Sequence, residues 1–240
     1  RGIFKDTSRA VKNLDPEAAE KSLEAYVNCL KFDKIEIYKD TIQSYLTQAA
    51  NTTNKKAANY VFDKQYDKAL HCYDLLELAV PYDFKEALKR NNVTKDKIIY
   101  GKFDCYRQSG NKEKTKEYAA KLMDMRYKEP KIYTDMVKVS LVDRDTSSAL
   151  MYIERGKLLF EDNMDLINTE LDIYLKRNKL DVLKAKLQTA LDMSPDNDLF
   201  HFLMGNLYQK NKQIAEAEKE FLKAIQLNPN NDLANNNLGV

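Results

Sequence analysis

The sequence predicts an all-α fold of antiparallel helix pairs stacked one on the next, and three observations support this prediction. First, its 240 residues include only 6 Gly and 5 Pro, against roughly 17 and 12 at average usage, which disfavours turn-rich all-β and α/β enzymes. Second, 43% hydrophobic and 32% charged residues are typical of a chain that forms a core. Third, the apolar pattern recurs with a period of 34 residues.

The period is clear when the chain is divided into 34-residue rows, each numbered from position 1. Pro195 and Pro229 both stand at position 32, after an apolar segment and a short polar turn. The row 198–231 also carries small or aromatic residues at spaced positions: Gly205 (8), Tyr208 (11), Ala217 (20), Phe221 (24) and Ala224 (27). The pattern returns in four rows and, more weakly, in a fifth: 164–197, 130–163, 96–129, 50–83 and then 16–49.

These rows predict the domain organisation. We expect an N-terminal extension at 1–15, two divergent repeats at 16–83 and an insertion at 84–95. Four repeats follow at 96–129, 130–163, 164–197 and 198–231, and 232–240 is the start of a further, incomplete repeat. In the insertion, Phe84 and Leu88 are four residues apart, so a single helical turn can dock on the repeats before Asn91-Asn92 end it. A tolerated loop is the alternative.

Helix packing explains why these positions recur. Positions 4, 7, 8 and 11 form one stripe on a first helix, and positions 20, 24 and 27 form the matching stripe on a second helix. Small residues at 8, 20 and 27 let the two backbones approach closely, and Tyr or Phe at 11 and 24 fills the adjacent space. Proline at position 32 ends the second helix.

These residues resemble the tetratricopeptide repeat (TPR) family, whose signature is a large residue followed by Leu-Gly, Tyr, Ala, Phe, Ala and Pro. The matching residues are Met204-Gly205, Tyr208, Ala217, Phe221, Ala224 and Pro229, with His201 in place of the first large residue. The likeness covers residues 16–240 and is strongest at the C-terminal end. It implies a right-handed TPR-type α-solenoid of about six to seven antiparallel helix pairs. It also implies a non-enzymatic scaffold that binds a peptide or partner protein in its concave groove.

Positions 2, 5, 9, 12 and 13 of the first helices are expected to face that groove. The candidate groove residues are Lys97, Tyr100, Asp104, Arg107, Lys131, Thr134, Lys138, Asn168, Asp172, Phe202, Asn206 and Gln209. We expect Tyr100 and Phe202 to be aromatic anchors for a peptide side chain. The alternative is that all of these are ordinary exposed residues. Because position 5 is never Lys, the carboxylate clamp that grips chaperone C-termini is not expected.

No motif in the sequence predicts catalysis, a cofactor or a metal. There is neither a GxGxxG nor a Walker loop. His71 and His201 lack metal-ligand spacing and are expected to be structural, with His71 on the outer side of a second helix. Cys29, Cys72 and Cys105 are odd in number and widely spaced. They are therefore expected to be buried hydrophobic residues and not disulfides or zinc ligands.

Two further hypotheses stay open, one that concerns charge and one that concerns the repeat pattern. Lys and Arg number 39 against 37 Asp and Glu, a balance that disfavours nucleic acid; helical-repeat RNA binding is the weaker alternative. The renewed repeat at 232–240 motivates the other, a regulatory or targeting portion of a larger enzyme or cell-envelope assembly. No apolar run approaches the roughly 18 residues of a membrane span.

The N-terminal residues and the composition of the turns bear on the compartment and the source. The start at Arg1-Gly2-Ile3, without Met, is consistent with a removed leader or a trimmed chain. Cytoplasmic and periplasmic or secreted locations therefore both stay open. The Asn- and Lys-rich turns favour a bacterial source.

Overall fold

The computed structural model describes residues 15–32, 39–230, 234, 236 and 237. Within these residues every regular element is helical, which confirms the predicted fold class. The chain divides into two compact units, an N-terminal unit (Arg1–Tyr127) and a C-terminal unit (Lys128–Val240). Most of the predicted extension and of the predicted last repeat lies outside the described residues. None of the described helices combines the length and hydropathy that a membrane span needs.

The N-terminal unit contains six described helices and a 3-10 turn. They are α1 (Ala18–Phe32), α2 (Lys39–Phe62), α3 (Tyr66–Ala79), the 3-10 turn at Val80–Tyr82, α4 (Ala87–Arg90), α5 (Lys95–Gln108) and α6 (Lys112–Asp124). Helix α2 packs against α1 and α3, α3 packs against α5, and α5 packs against α6.

Helix α2 differs from the repeat pattern. It runs without a break for 24 residues, across the predicted boundary between the rows 16–49 and 50–83. Ala49 and Ala50, both fully buried, stand at that boundary, and no Gly or Pro occurs within the helix. Because Ala is the strongest helix former and nothing interrupts the chain, the two divergent repeats share one long helix.

The insertion forms a single helical turn, α4, and of the two apolar residues spaced for docking only Leu88 docks. Leu88 is fully buried and Val93 is 2% exposed, and both join the hydrophobic core of the N-terminal unit. Phe84 instead is 47% exposed, and the Lys39 ammonium lies 4.1 Å from its ring centroid. Buried Gln43 accepts a hydrogen bond from the Phe84 N–H at 3.3 Å, so the insertion is tied to α2.

Among the described residues, the C-terminal unit contains three helix pairs. They are α7 (Pro130–Val142) with α8 (Thr146–Lys157), α9 (Met164–Lys176) with α10 (Leu180–Met193), and α11 (Asp198–Lys210) with α12 (Ile214–Leu227). Each helix contacts the next along the chain, and α7 also contacts α9. Asp145, Asn163 and Asn197 cap α8, α9 and α11 by accepting hydrogen bonds from backbone N–H groups in the first turn.

The turn between the two helices of a pair is built in the same way in five repeats. Position 15 has positive φ in each of them: Lys64, Gly110, Arg144, Asn178 and Lys212. The next N–H then donates to the carbonyl of position 11, as Asp145 does to Ser140 at 2.8 Å. The first helix therefore ends at a residue in the left-handed conformation, and the hydrogen bond satisfies a carbonyl group of its last turn. Among these five residues only Gly110 is a glycine, the residue type that adopts positive φ without strain.

Burial confirms the second-helix stripe and widens the first-helix stripe. Positions 20, 24 and 27 are buried in the second helices: Thr115, Ala119, Leu122; Ala149, Ile153, Gly156; Leu183, Leu187, Ala190; Ala217, Phe221, Ala224. In the first helices position 3 is buried as well: Ile98, Ile132, Leu166 and Phe200. Helix α9, for example, contacts α7 as well as α8 and α10, and such a helix buries a broader face.

Candidate interaction surfaces

The four predicted groove residues of α5 are largely engaged with their own neighbours. Asp104 forms an ion pair with Arg107 and accepts a hydrogen bond from Gln108 at 2.6 Å. Lys97 is exposed and donates to the Asn92 side chain at 2.8 Å. The half-buried Tyr100 ring stacks on another ring of the N-terminal unit, that of Tyr127, with centroids 5.4 Å apart.

Helix α7 presents a basic face. Lys131 is exposed and the Lys138 side chain is 74% exposed. Lys138 lies 3.9 Å from the Asp135 carboxylate, which is 9% exposed and lies beneath it. Thr134 is half-buried and donates from its hydroxyl to the Lys131 carbonyl at 3.2 Å. These residues leave two ammonium groups accessible to a ligand.

Helix α9 carries an acidic residue and a buried acceptor at the predicted groove positions. Asp172 is exposed and pairs with Lys176 at 2.6 Å. Asn168 is half-buried, and its Oδ1 is buried without a hydrogen-bond partner among the described residues. Asp165, one turn earlier, is exposed as well.

Helix α11 corrects one prediction. Phe202, expected as an exposed aromatic anchor, is only 9% exposed and packs on Phe221 with ring centroids 6.0 Å apart. It belongs to an apolar cluster that includes Ala234, from the segment that follows α12. Asn206 likewise accepts a hydrogen bond from Asn237 at 2.7 Å, while Gln209 is exposed. The prediction failed because the following segment covers part of α11.

The two histidines occupy the predicted places. His71 is exposed on α3, a second helix. His201 is half-buried, and its two ring nitrogens lie 2.7 Å from a Glu220 oxygen and 2.9 Å from the Pro195 carbonyl oxygen. His201 thereby ties α11 to α12 and to the preceding turn, which is a structural role.

The cysteines follow the prediction in two of three cases. Cys72 and Cys105 are buried, whereas Cys29 is exposed. Burial raises the pKa of Cys72 to about 12, with a further contribution from the Glu20 carboxylate. Burial also raises the pKa of Cys105 to about 12. Both buried thiols therefore stay protonated at neutral pH. Within the described residues, no group of three His, Cys, Asp or Glu side chains could hold a metal ion.

Charged residues at position 7, two of them buried and one half-buried, were not anticipated from the sequence. Lys56, Lys102 and Glu170 occupy this position, where two other repeats carry Met136 and Met204. The sequence does contain a signal for them, because a charged residue is unusual in a helix stripe that otherwise consists of packing residues. Each charge is paired, because an unpaired buried charge is strongly unfavourable.

Two of these pairs lie in the N-terminal unit. Lys56 bonds to the buried Glu20 carboxylate at 2.6 Å. Lys102 is 3% exposed and forms ion pairs with Asp74, at 2.7 Å, and with Glu77. Burial alone lowers the pKa of Lys102, but its bonds to Asp74 and Glu77 outweigh burial and raise the pKa overall.

In the C-terminal unit, Glu170 lies between two lysines, and we call these three residues the ion cluster. Glu170 is 2% exposed, and its two oxygens lie 2.8 Å from Lys157 Nζ and 2.7 Å from Lys186 Nζ. The hydrogen bond that Lys186 donates to the Glu170 carboxylate raises the pKa of Lys186. The ion cluster joins α8, α9 and α10 beneath a cavity of about 660 Å³.

Comparisons with known proteins agree with this geometry. Residues 199–231 match the family model of the tetratricopeptide repeat. No curated protein matches the chain in a sequence search. The structure is similar to that of YrrB, described as a TPR protein with an unusual peptide-binding site: identity is 16%, 91% of this chain and 100% of that chain are covered, and the TM-score is 0.53. It is also similar to that of MamA, at 15% identity, 74% and 91% coverage and a TM-score of 0.53.

The chain therefore contains a tetratricopeptide repeat at 199–231 and has the TPR-type fold. The resemblance recognised in the sequence is confirmed. TPR proteins are in general non-enzymatic scaffolds for protein–protein interaction.

Proposed function

We propose that this protein is a non-enzymatic scaffold that binds a peptide segment of a partner protein across α7, α9 and α11. The observation that carries the proposal is the accessible polar side chains at the predicted groove positions of successive first helices. Lys131 and Lys138 of α7, Asp172 of α9 and Gln209 of α11 are all exposed. YrrB, a structural neighbour described as having a peptide-binding site, supports the same type of ligand.

Charge complementarity specifies the ligand further. The exposed ammonium groups of α7 favour acidic side chains of a peptide, while Asp165 and Asp172 of α9 favour basic ones. A peptide that crosses from α7 to α9 therefore carries acidic residues before or after basic ones, and not one sign throughout. Phe202 is left out of this proposal because it is buried.

The test is to select peptides from a displayed library on the immobilised full chain and to titrate the best one by calorimetry. We expect Lys131→Ala with Lys138→Ala to weaken binding about tenfold, since two charge contacts are lost. The matched control, Lys219→Ala with Lys223→Ala on second helix α12, should change affinity less than about twofold. Equal losses in both variants, or a library that yields no ligand, would contradict the proposal.

The same titration tests the other two hypotheses. Single-stranded RNA that binds with a steep salt dependence would favour RNA binding over peptide binding. A selected peptide found within an enzyme or a cell-envelope protein would favour the regulatory or targeting hypothesis. Both stay predictions.

A further inference from the structure

A second surface of the C-terminal unit is built from residues that depart from the repeat pattern. Leu158 stands at position 29, where the next two repeats have Asp192 and Gln226. Glu161 stands at position 32, where those repeats have Pro195 and Pro229. These two departures occur in one short turn, between α8 and α9.

Two further departures lie beneath that turn. Lys157 is at position 28, where the next two repeats have Leu191 and Ile225. Glu170 is at position 7, where the next repeat has Met204. Leu158, Glu161, Lys157 and Glu170 all line the same cavity of about 660 Å³.

This cavity lies on the other side of α9 from the proposed groove. Because successive residues of an α-helix are about 100° apart, Glu170 projects opposite to Asn168 and Asp172. The walls come from the second helices α8 and α10, and Met193 of α10 faces the same space. A ligand in this cavity therefore does not compete with one in the groove.

The cavity combines an apolar rim with an excess of carboxylates. Leu158 is 84% exposed and Met193 is 40% exposed, so apolar surface is left open to water. Glu154 and Glu161 are exposed, and the Glu154 carboxylate contributes to the raised pKa of Lys186. Three carboxylates and two ammonium groups line the cavity, so one carboxylate is left without a matching cation there. Both lysines of the ion cluster are already bound to Glu170 oxygens. The charge left to be complemented is negative.

The ion cluster itself indicates a role other than stability. Buried ion pairs are often no more stabilising than apolar side chains of the same size, because desolvation offsets the attraction between the charges. One repeat further along the chain, the positions of Lys157 and Glu170 hold Leu191 and Met204, which belong to one apolar cluster. The ion cluster instead gives the floor of the cavity fixed, directional contacts.

We propose that this cavity is a second protein-binding site, which takes an apolar side chain flanked by Lys or Arg from a partner protein. The apolar side chain contacts Leu158 and Met193. The neighbouring cation pairs with Glu154 and Glu161. The site is independent of the groove, so a single TPR chain can hold two partners together.

The test uses the full chain and two synthetic probes, acetyl-Lys-Leu-Leu-Arg-amide and its charge-reversed counterpart acetyl-Glu-Leu-Leu-Glu-amide, followed by NMR titration of backbone amides. We expect the basic peptide to shift amides of α8, α10 and the turn at 158–163, and to bind about tenfold more tightly than the acidic peptide. Binding of the acidic peptide at equal or higher affinity would overturn the proposal.

Variants locate the binding. Leu158→Ser with Glu161→Gln should weaken the basic peptide about tenfold without lowering the melting temperature, because both side chains are exposed. The matched control is Ile214→Ser with Glu218→Gln, an exposed apolar and acidic pair on α12. It should leave affinity within about twofold. Equal weakening in both variants would contradict the site.

Two further measurements distinguish this site from the proposed groove and from a dimer interface. The groove variant Lys131→Ala with Lys138→Ala should leave the basic peptide bound, so failure of the proposed groove and failure of this site are distinguishable. Sedimentation velocity at increasing concentration tests whether a second copy of the chain fills the cavity. A dimer that Leu158→Ser abolishes would overturn the assignment of a basic partner segment.

Discussion

Two neighbouring repeats of the C-terminal unit, 164–197 and 198–231, fill the same positions with different chemistry. Position 7 is Glu170 in the first and Met204 in the second, and both are 2% exposed. The preceding second helix supplies Lys157 beside Glu170, whereas Leu191 shares an apolar cluster with Met204. The backbone tolerates either solution because each repeat has to match only its immediate neighbours.

The same two repeats also differ in how they divide volume between helices. Repeat 164–197 has Leu171 and Leu187 at positions 8 and 24, and repeat 198–231 has Gly205 and Phe221. A Cβ on Gly205 would lie 2.5 Å from the Phe221 ring, so the ring occupies the space that a larger residue would need. In repeat 198–231 the absence of a side chain at position 8 therefore makes room for the ring at position 24, whereas repeat 164–197 has a leucine at each position. The family model matches only the repeat that uses the glycine and the aromatic ring.

Removing the carboxylate of the ion cluster should have the largest effect. Glu170→Leu leaves Lys157 and Lys186 without their partner, and we expect a loss of about 3 kcal/mol in the free energy of unfolding. Guanidinium denaturation followed by circular dichroism measures this loss, and hydrogen exchange in α9 and α10 localises it. The control is Met204→Leu, which should cost less than about 1.5 kcal/mol. A loss no larger than that of the control would contradict the ion cluster.

Replacing the whole ion cluster should restore stability. Lys157→Met, Glu170→Leu and Lys186→Met together replace the three charges by apolar side chains, as Leu191 and Met204 already do at the positions equivalent to Lys157 and Glu170. We expect the triple variant to be at least as stable as the wild type, because apolar replacements of buried ion pairs are often neutral or stabilising by about 1–4 kcal/mol. If it stays as unstable as Glu170→Leu alone, the two repeats are not interchangeable in this way.

The glycine of repeat 198–231 should be the next most sensitive residue. Gly205→Ala drives a methyl group into the Phe221 ring, and we expect a cost of about 1–3 kcal/mol. Adding Phe221→Leu makes room for the methyl group, so Gly205→Ala should cost much less in that background. A double-mutant cycle measures the coupling. Additive losses would show that the ring does not limit the size of residue 205.

The turns of the two repeats should respond unequally to glycine. Lys212 and Asn178 both have positive φ, at 60° and 53°. Lys212→Gly should stabilise by about 1 kcal/mol, since a left-handed lysine is strained. Asn178→Gly should gain only about 0.3 kcal/mol, since asparagine tolerates this conformation. Thermal denaturation of the two variants decides the point, and equal gains would refute it.

Alkaline pH should produce the smallest difference. The pKa of Lys186 is raised above its ordinary value of 10.5 by its bond to Glu170. Its contribution is therefore complete below that pH and is lost as the pH rises through the folded-state pKa. We expect the wild type to fall further below the triple variant in stability above pH 10.5, because the triple variant lacks Lys186. Lys186 is partly exposed, so solvent screening limits the effect. A difference that is independent of pH would contradict it.

Much of the fold could be predicted because repeat contacts are local. The stripe at positions 20, 24 and 27 and the docking of Leu88 followed from spacing alone. The long helix α2 could not be predicted from the period, since a 34-residue row places a boundary there whether or not the chain turns. Among the candidate groove residues, Lys131, Lys138 and Asp172 are exposed as expected, whereas Phe202 is covered.

The sequence by itself determined the helix pairs and their packing faces, because those depend on residues within one period and on elementary helix geometry. Only the tertiary structure decided which charges would meet. Lys157, Glu170 and Lys186 lie on three helices, and no spacing along the chain shows that one carboxylate lies between two ammonium groups. It also decided that Leu158 and Met193 face one cavity and that Phe202 does not face solvent. Exposure depends on what a neighbouring segment covers, and that is a property of the assembled helices.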